Sequence, residues 1–207
     1  LIQCVFMPSS IARCEIFNDY SLLSYDEEED DDIDQYFGSK RGGRKFAHAY
    51  TEADIRRIII GTRLSEKIEE LGYPDWYVEF DLSDCFAHSV YIRSESLPEK
   101  DQYIGFLMIN PTGNHRCKVS DLDLKLLHVR WLALQNPLGR FTAERLRFPG
   151  QKYPGTHCGR KLFEILLSEA RKHKKDGILN TPQHFHNAYF YRGFFFVDPK
   201  IYGTFLR

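Results

Sequence analysis

The sequence predicts a mixed α/β domain, and three observations support this prediction. Two segments carry apolar residues at helical spacing, several others alternate apolar and polar residues as strands do, and a turn rich in glycine and proline leads into the second helical segment. With 207 residues, 43% of them hydrophobic and 14% aromatic, the chain is long enough for one folded domain with a substantial core and an appendage.

The first 45 residues are predicted to form that appendage. Residues 25–34 are a dense acidic run, and residues 38–45 are basic and rich in glycine. Because like charges repel one another and favour extended, solvated chain, we expect an N-terminal arm over residues 1–45 and a folded domain over residues 46–207. The functional alternative is that the acidic run recruits a basic substrate.

The elements of the folded domain follow from periodicity. Thr51 begins a capping-type sequence for a first helix, whose apolar residues recur at helical spacing until Gly72 and Pro74 end the pattern. A second, strongly amphipathic helix follows the glycine-rich turn. Strand patterns are found at 76–82, 87–93, 103–110, 124–134, 141–148 and 177–180.

Charge and cysteine content narrow the class of protein. The formal net charge of −1 and the pI near 6.8 give no global electrostatic case for binding nucleic acid or an anionic membrane. No stretch approaches the ~20 apolar residues of a spanning helix, and the N-terminal residues lack the features of a signal peptide. The five cysteines are scattered without a Cys-x-x-Cys pair, so we expect reduced thiols in a cytoplasmic protein and no metal.

The most informative segment is 147–163, with the sequence RFPGQKYPGTHCGRKLF, in which a turn runs directly into the second helix. A glycine-rich turn can aim successive backbone N–H groups at one anion, and the helix adds its unpaired first-turn amides and the positive end of its dipole. The segment therefore predicts a phosphate-binding loop. A tight connection between strand and helix is the alternative, since Gly155 and Gly159 suit that role as well.

A second segment, residues 184–194 with the sequence HFHNAYFYRGF, follows the strand pattern at 177–180. The order of strand, glycine-rich loop, helix, strand, Asn-Ala-aromatic-Tyr helix and Gly-Phe resembles the GNAT acetyltransferase superfamily. In that family the first motif reads Gln/Arg-x-x-Gly-x-Gly/Ala, whereas here His157 stands where a glycine is usual and Pro154 where an arginine or glutamine is usual. The resemblance implies a central, mostly antiparallel sheet with a parallel splayed pair, flanked by helices.

The resemblance also implies an activity, the transfer of an acetyl or other acyl group from acyl-CoA to a small-molecule or peptide amine, and it leaves a homodimer open. It assigns the pyrophosphate to the loop, mostly through backbone amides, and the pantetheine arm to the strand before the loop. Tyr191 is the phenol implied to protonate the departing thiolate, with Tyr189 in reserve. The implied cofactor contacts are Leu146, Arg147, Phe148, Gln151, Gly155, Thr156, His157, Cys158, Gly159, Arg160 and Asn187.

A general base is predicted from position along the strand pattern. Glu144 shares a strand face with Leu146 and Phe148 by period-two alternation, so its carboxylate is expected near the acetyl end of the cofactor. Ordered water is an alternative to a side-chain base. Three further candidates lie on earlier strands, namely Glu79, Asp81 and His128.

Two other functions stay open. The departures at Pro154 and His157 favour a catalytically inactive module that binds acyl-CoA or a protein. On an extended segment, His184 and His186 would project to one face and bind a metal together with His157 or Cys158. That arrangement would make the protein a metal-dependent hydrolase.

Overall fold

A computed structural model describes residues 4–6, 45–97, 102–111, 115–119, 122–144, 146–182, 187 and 195–196. This part of the chain forms three helices and one sheet of eight strands, which confirms the predicted mixed α/β class. In chain order the elements are β1 (Cys4–Phe6), α1 (Glu52–Gly61), α2 (Leu64–Glu70), β2 (Trp76–Asp84), β3 (Ala87–Ser94), β4 (Gly105–Ile109), β5 (His115–Val119), β6 (Leu122–Leu134), α3 (Gly159–Lys172), β7 (Gly177–Asn180) and β8 (Phe195–Phe196).

The strand order in the sheet is β2-β3-β4-β6-β7-β1-β8, and β5 pairs with the start of β6 on the same side as β4. All these pairs are antiparallel except β6 with β7, which are parallel and are connected through α3. The sheet is therefore mostly antiparallel with one parallel pair. Within the predicted arm, β1 belongs to this sheet, because it pairs with β7 and β8.

The predicted first helix is two helices. A capping box at Thr51 begins α1 as expected, because the Thr51 side chain accepts from the Asp54 N–H and the Asp54 carboxylate accepts from the Thr51 N–H. The chain then breaks at Arg63, whose φ of 57° lies in the left-handed region, and α2 begins at the next residue. The break reorients the chain so that Leu64 and Ile68 of α2 become buried along with Ile59 of α1.

One face of the sheet packs against the helices, and we call it the inner face. The strand registers place Val78, Ile92, Leu107, Leu132 and Ile178 on it. These side chains share one hydrophobic core with apolar residues of all three helices, among them Ile59, Ile68, Leu166 and Ala170. This core fixes α3 against the parallel pair, with Leu166 and Ala170 buried as its amphipathic pattern predicts.

The prediction of a strand at 141–148 is wrong. The described residues of this segment, with residue 145 outside them, form neither strand nor helix. Leu146 is 71% exposed and Phe148 is 43% exposed, so the apolar alternation there does not face a core. Among the described residues, none of the helices has the length and apolar character needed to cross a membrane.

Candidate functional site

The parallel pair opens at one end. Pairing between β6 and β7 runs from Leu126 with Gly177 to Val129 with Asn180, where β7 ends. The strand β6 continues to Leu134, held on its other side by β4. Five residues of β6 therefore lie beyond the end of β7.

The directions of the N–H and C=O groups along β6 show which of them lack a strand partner beyond the end of β7. The Gln135 N–H donates to the Ile104 carbonyl on the β4 side at 2.9 Å. Because successive residues of a strand direct their N–H and C=O groups to opposite sides, those of Leu132 and Leu134 point away from β4. Among the described residues they have no hydrogen-bond partner on that side. We call the backbone groups of Leu132 and Leu134 the open edge.

The loop between β6 and α3 closes the far end of the open edge. The Asn136 N–H donates to the Pro154 carbonyl at 2.6 Å, which brings the end of the loop back beside the strand. A side chain on Gly155 would come within 3.5 Å of the Leu134 carbonyl. From Val129 to Asn136 is roughly 20 Å at the usual rise per strand residue. This length suits an extended ligand lying along the strand.

The last turn of the loop has a defined conformation. Thr156 and Cys158 are buried, and the Thr156 hydroxyl accepts from the Cys158 N–H at 3.3 Å. The Cys158 thiol donates to the Thr156 carbonyl at 3.4 Å. Between them His157 is exposed and has a φ of 61°, in the left-handed region that disfavours residues with a Cβ. The turn therefore exposes the His157 side chain and buries those of Thr156 and Cys158 directly before α3.

The start of α3 has the features of an anion site. Its N-cap residue, Cys158, makes no side-chain cap hydrogen bond, and its first turn carries Arg160 and Lys161 and no acidic residue. The N–H groups of Gly159, Arg160 and Lys161 have no acceptor within the described residues. Cations at this end oppose the helix dipole by about 0.3–1 kcal/mol each. The arrangement disfavours the isolated helix and favours a bound anion.

The start of α1, unlike that of α3, is fully capped. There a complete capping box satisfies the first turn, which holds the acidic residues Glu52 and Asp54. Gly159 adds room at α3, because nothing lies within 4 Å of the position of a Cβ, and its φ is not left-handed. Neither packing nor backbone conformation therefore requires a glycine at position 159.

The structure divides the predicted cofactor contacts into two groups. Gly155, Thr156, His157, Cys158, Gly159 and Arg160 lie together between the open edge and α3. Arg147, Phe148 and Gln151 instead form a local turn, in which the Arg147 Nε donates to the Gln151 carbonyl at 2.6 Å and the Gln151 Oε1 accepts from the Phe148 N–H at 3.1 Å. Leu146 is exposed beside that turn. The strand before the loop is β6, and these four residues lie within the loop that connects β6 to α3.

The candidate bases are scattered. Glu144 is exposed in a bend, where its own backbone N–H and then the Thr142 side chain lower the pKa of its carboxyl. Glu79 forms an ion pair with Arg93 on the face of the sheet opposite the inner face. Hydrogen bonds from the Ser83 side chain and backbone lower the pKa of Asp81, which makes that carboxylate a weaker base. His128 is half-buried on β6.

The second motif is described only at Asn187, which is half-buried with helical backbone conformation. Tyr189, Tyr191, His184 and His186 lie outside the described residues. Within the described ranges, no three His, Cys, Asp or Glu side chains lie close enough together to hold a metal ion. The roles predicted for the two tyrosines and the two histidines stay predictions.

Sequence reasoning missed the open edge, the anchor at Asn136 and the buried Asn180. The sequence placed β6 correctly but assigned the cofactor-facing strand to the segment nearest the loop. A stop signal at Gln135-Asn-Pro137, directly after the longest strand pattern, was the available indication that the strand before the loop ends there.

Comparisons with known protein families, with curated proteins and with solved structures gave no match for this chain. The proposed function therefore rests on the fold and on the geometry of the site.

Proposed function

We propose that this protein is an acyltransferase of the GNAT type, which transfers an acyl group from acyl-CoA to an amine. One observation carries the proposal, namely the open edge at Leu132 and Leu134 beside the uncapped, basic start of α3. The two features lie at the same end of the parallel pair. Together they fit a ligand with an extended amide-bearing arm and an anionic group.

Coenzyme A has this chemistry. Its pyrophosphate is the anion for the N–H groups of Gly159, Arg160 and Lys161, with the two side-chain cations nearby. Its arm carries secondary amides, which pair with an exposed strand edge as an added strand would. Binding would satisfy the backbone groups of the half-buried Leu132 and Leu134, which have no partner among the described residues.

In this arrangement the pantetheine arm of CoA pairs with β6 and not with the segment predicted from the sequence. Leu146, Arg147 and Phe148 offer no strand edge, whereas Leu132 and Leu134 do. The loop departures at Pro154 and His157 are compatible with this arrangement. Pro154 supplies a carbonyl to Asn136, and His157 exposes its side chain while its backbone turns the chain into α3.

The reaction balances without an added oxidant or reductant. The acceptor nitrogen adds to the thioester carbonyl carbon, the C–S bond breaks, and the products are an amide and CoA. The amine loses one proton to water or a base, and the thiolate gains one, for which Tyr191 is the proposed donor. The acceptor is an amine of a small molecule or peptide, and the free thiols of Cys85 and Cys158 accord with a cytoplasmic location.

Calorimetric titration with CoA tests the proposal, using Gly159→Glu and Gly61→Glu as a matched pair. Each glycine lies at the end of a helix and has nothing within 4 Å of a Cβ position, so neither substitution meets a packing obstacle. A carboxylate at position 159 would repel the pyrophosphate. We expect Gly159→Glu to weaken CoA binding at least about tenfold, the effect of losing roughly one charge-assisted hydrogen bond, and Gly61→Glu to leave it unchanged.

The titration is repeated with EDTA and followed by a screen of amine acceptors. Saturable binding that is independent of EDTA supports the proposal, and thiol release in the presence of an amine establishes turnover. Binding without turnover would point to the inactive module instead. Failure of the wild-type protein to bind CoA at millimolar concentration would refute the acyltransferase.

A further inference from the structure

A buried carboxamide lies where β6 and β7 separate. Asn180 is the last residue of β7 and is 8% exposed. Its backbone pairs with β6 on one side and with β1 on the other. Its side chain has no hydrogen-bond partner among the residues that the structure describes. The amide group is therefore removed from solvent without a partner in the described part of the chain.

The register shows what surrounds it. Asn180 pairs with Val129, which is paired with Ile109, so the three side chains form one row on the inner face. Val129 and Ile109 are both buried and apolar. The next inner-face residue along β6 is Leu132, whose backbone belongs to the open edge. The carboxamide thus lies on the inner face at the end of the open edge where β7 stops pairing with β6.

Three of the other five buried polar side chains in the described part have hydrogen-bond partners among the described residues. His88 accepts from the Ala47 N–H at 3.1 Å, Ser94 donates to Asp75, and Thr156 accepts from the Cys158 N–H. An unsatisfied buried amide is costly to keep, and an apolar residue of the same size would avoid that cost. A bound ligand that completes its hydrogen bonds would explain such a group in a native site.

We propose that the Asn180 side chain donates a hydrogen bond to the thioester carbonyl oxygen of the bound acyl-CoA. The inference rests on the proposed function. With the pyrophosphate at α3 and the arm along Leu134 and Leu132, the thioester reaches the end of β7, where Asn180 lies. When the amine nitrogen adds to the carbonyl carbon, the C=O electron pair moves to oxygen. The Asn180 N–H stabilises that oxyanion until the C–S bond breaks.

The test compares acetyl-CoA with CoA, because only acetyl-CoA carries the carbonyl oxygen. Asn180→Leu removes the donor and keeps the number and branching of the side-chain heavy atoms. We expect its affinity for CoA to stay within about twofold of wild type and its affinity for acetyl-CoA to fall about three- to tenfold, as for the loss of one hydrogen bond. Where an acceptor is known, kcat should fall about 10²–10³-fold, the usual effect of removing an oxyanion donor.

Thermal stability provides the second readout. If the Asn180 carboxamide is unsatisfied, Asn180→Leu should unfold at the same or a higher temperature than wild type. The matched control is Asn136→Leu, because the Asn136 Oδ1 accepts from the Tyr73 hydroxyl at 2.6 Å, and this variant should unfold at a lower temperature. A lower unfolding temperature both for Asn180→Leu and for the smaller Asn180→Val would show that the amide has a structural partner and would overturn the inference.

The ligand results separate the two proposals. Equal loss of CoA and acetyl-CoA affinity, or no loss of either, would overturn the role of Asn180 while the wild-type protein still binds CoA. Failure of the wild-type protein to bind either ligand would overturn the proposed function and this inference with it.

Discussion

The Tyr73 hydroxyl joins the end of β6 to the loop that follows it. It donates to the Asn136 Oδ1 at 2.6 Å and accepts from the Leu138 N–H at 2.9 Å. Tyr73 is fully buried, and burial raises the pKa of its phenol, so the hydroxyl stays protonated and keeps its donor role. Because Asn136 in turn donates to the Pro154 carbonyl, Tyr73 helps to hold the loop beside the open edge.

Tyr73→Phe should therefore lower the free energy of unfolding by about 1–2 kcal/mol, since it leaves two partly buried polar groups, the Asn136 Oδ1 and the Leu138 N–H, without this partner. Urea denaturation measures this as a lower midpoint with an unchanged slope. The control is Tyr77→Phe, because Tyr77 is 38% exposed and its hydroxyl has no hydrogen bond in the described part of the chain. Equal effects of the two substitutions would contradict the bonding assigned to Tyr73.

The neutral form of His88 stabilises the fold. Its Nδ1 accepts from the Ala47 N–H, and burial, followed by the charge of His48, lowers the pKa of His88 below its ordinary value of 6.5. Between the two pKa values the unfolded chain binds more protons than the folded protein. The stabilisation is therefore complete above pH 6.5 and is lost as the pH falls through the folded pKa.

His88→Asn should flatten this pH dependence, because its Oδ1 can accept from Ala47 without titrating. Denaturation between pH 5 and 7 gives the comparison, which covers the window below the ordinary histidine pKa of about 6.5. Asp54→Asn is the control, since hydrogen bonds from the Thr51 side chain and backbone lower the pKa of Asp54 and place its effect near or below about pH 4. An undiminished slope in His88→Asn would assign the effect to another group, such as His48.

His157→Gly tests whether the loop binds through its backbone. Because His157 has a left-handed φ, glycine should relieve a strain of about 1 kcal/mol, partly offset by the greater entropy of the unfolded chain. We expect equal or slightly higher stability and CoA affinity within about twofold of wild type. A tenfold or larger loss of affinity would mean that the imidazole itself contacts the phosphate.

Capping of α1 gives a further prediction. Thr51→Ala removes the acceptor for the Asp54 N–H and should lower the free energy of unfolding by about 0.5–2 kcal/mol. Thr51→Ser keeps the hydroxyl and should retain most of the stability. If alanine and serine had the same effect, the capping hydrogen bond would contribute nothing measurable.

The sequence predicted best where local pattern and tertiary packing agree. The α3 periodicity matches its buried face, and the strand predicted at 177–180 is β7. The sequence predicts a single first helix because its apolar spacing continues until Gly72 and Pro74, whereas the left-handed turn at Arg63 depends on how α1 and α2 pack. Local periodicity carries no information about that packing.

The site was predictable only in part. The loop from Gly155 to Arg160 was found because glycine and proline mark it in the sequence. The open edge was not, because it depends on where β7 stops pairing with β6 and on the bond from Asn136 to Pro154. Those contacts join residues far apart in the chain. The apolar residues around Leu146 alternate as in a strand although they are exposed. This pattern led to the prediction that the cofactor-facing strand is 141–148 and not β6.

Amide hydrogen exchange, followed residue by residue by NMR, shows directly whether the pantetheine arm of CoA lies along β6. The Leu132 and Leu134 amides form the open edge, whereas Trp131 and Ala133 face β4 and serve as internal controls. We predict that Leu132 and Leu134 exchange fast in the free protein and slow at least about tenfold with saturating CoA, while Trp131 and Ala133 are protected throughout. If CoA bound without slowing the exchange of Leu132 and Leu134, the arm would not lie along β6.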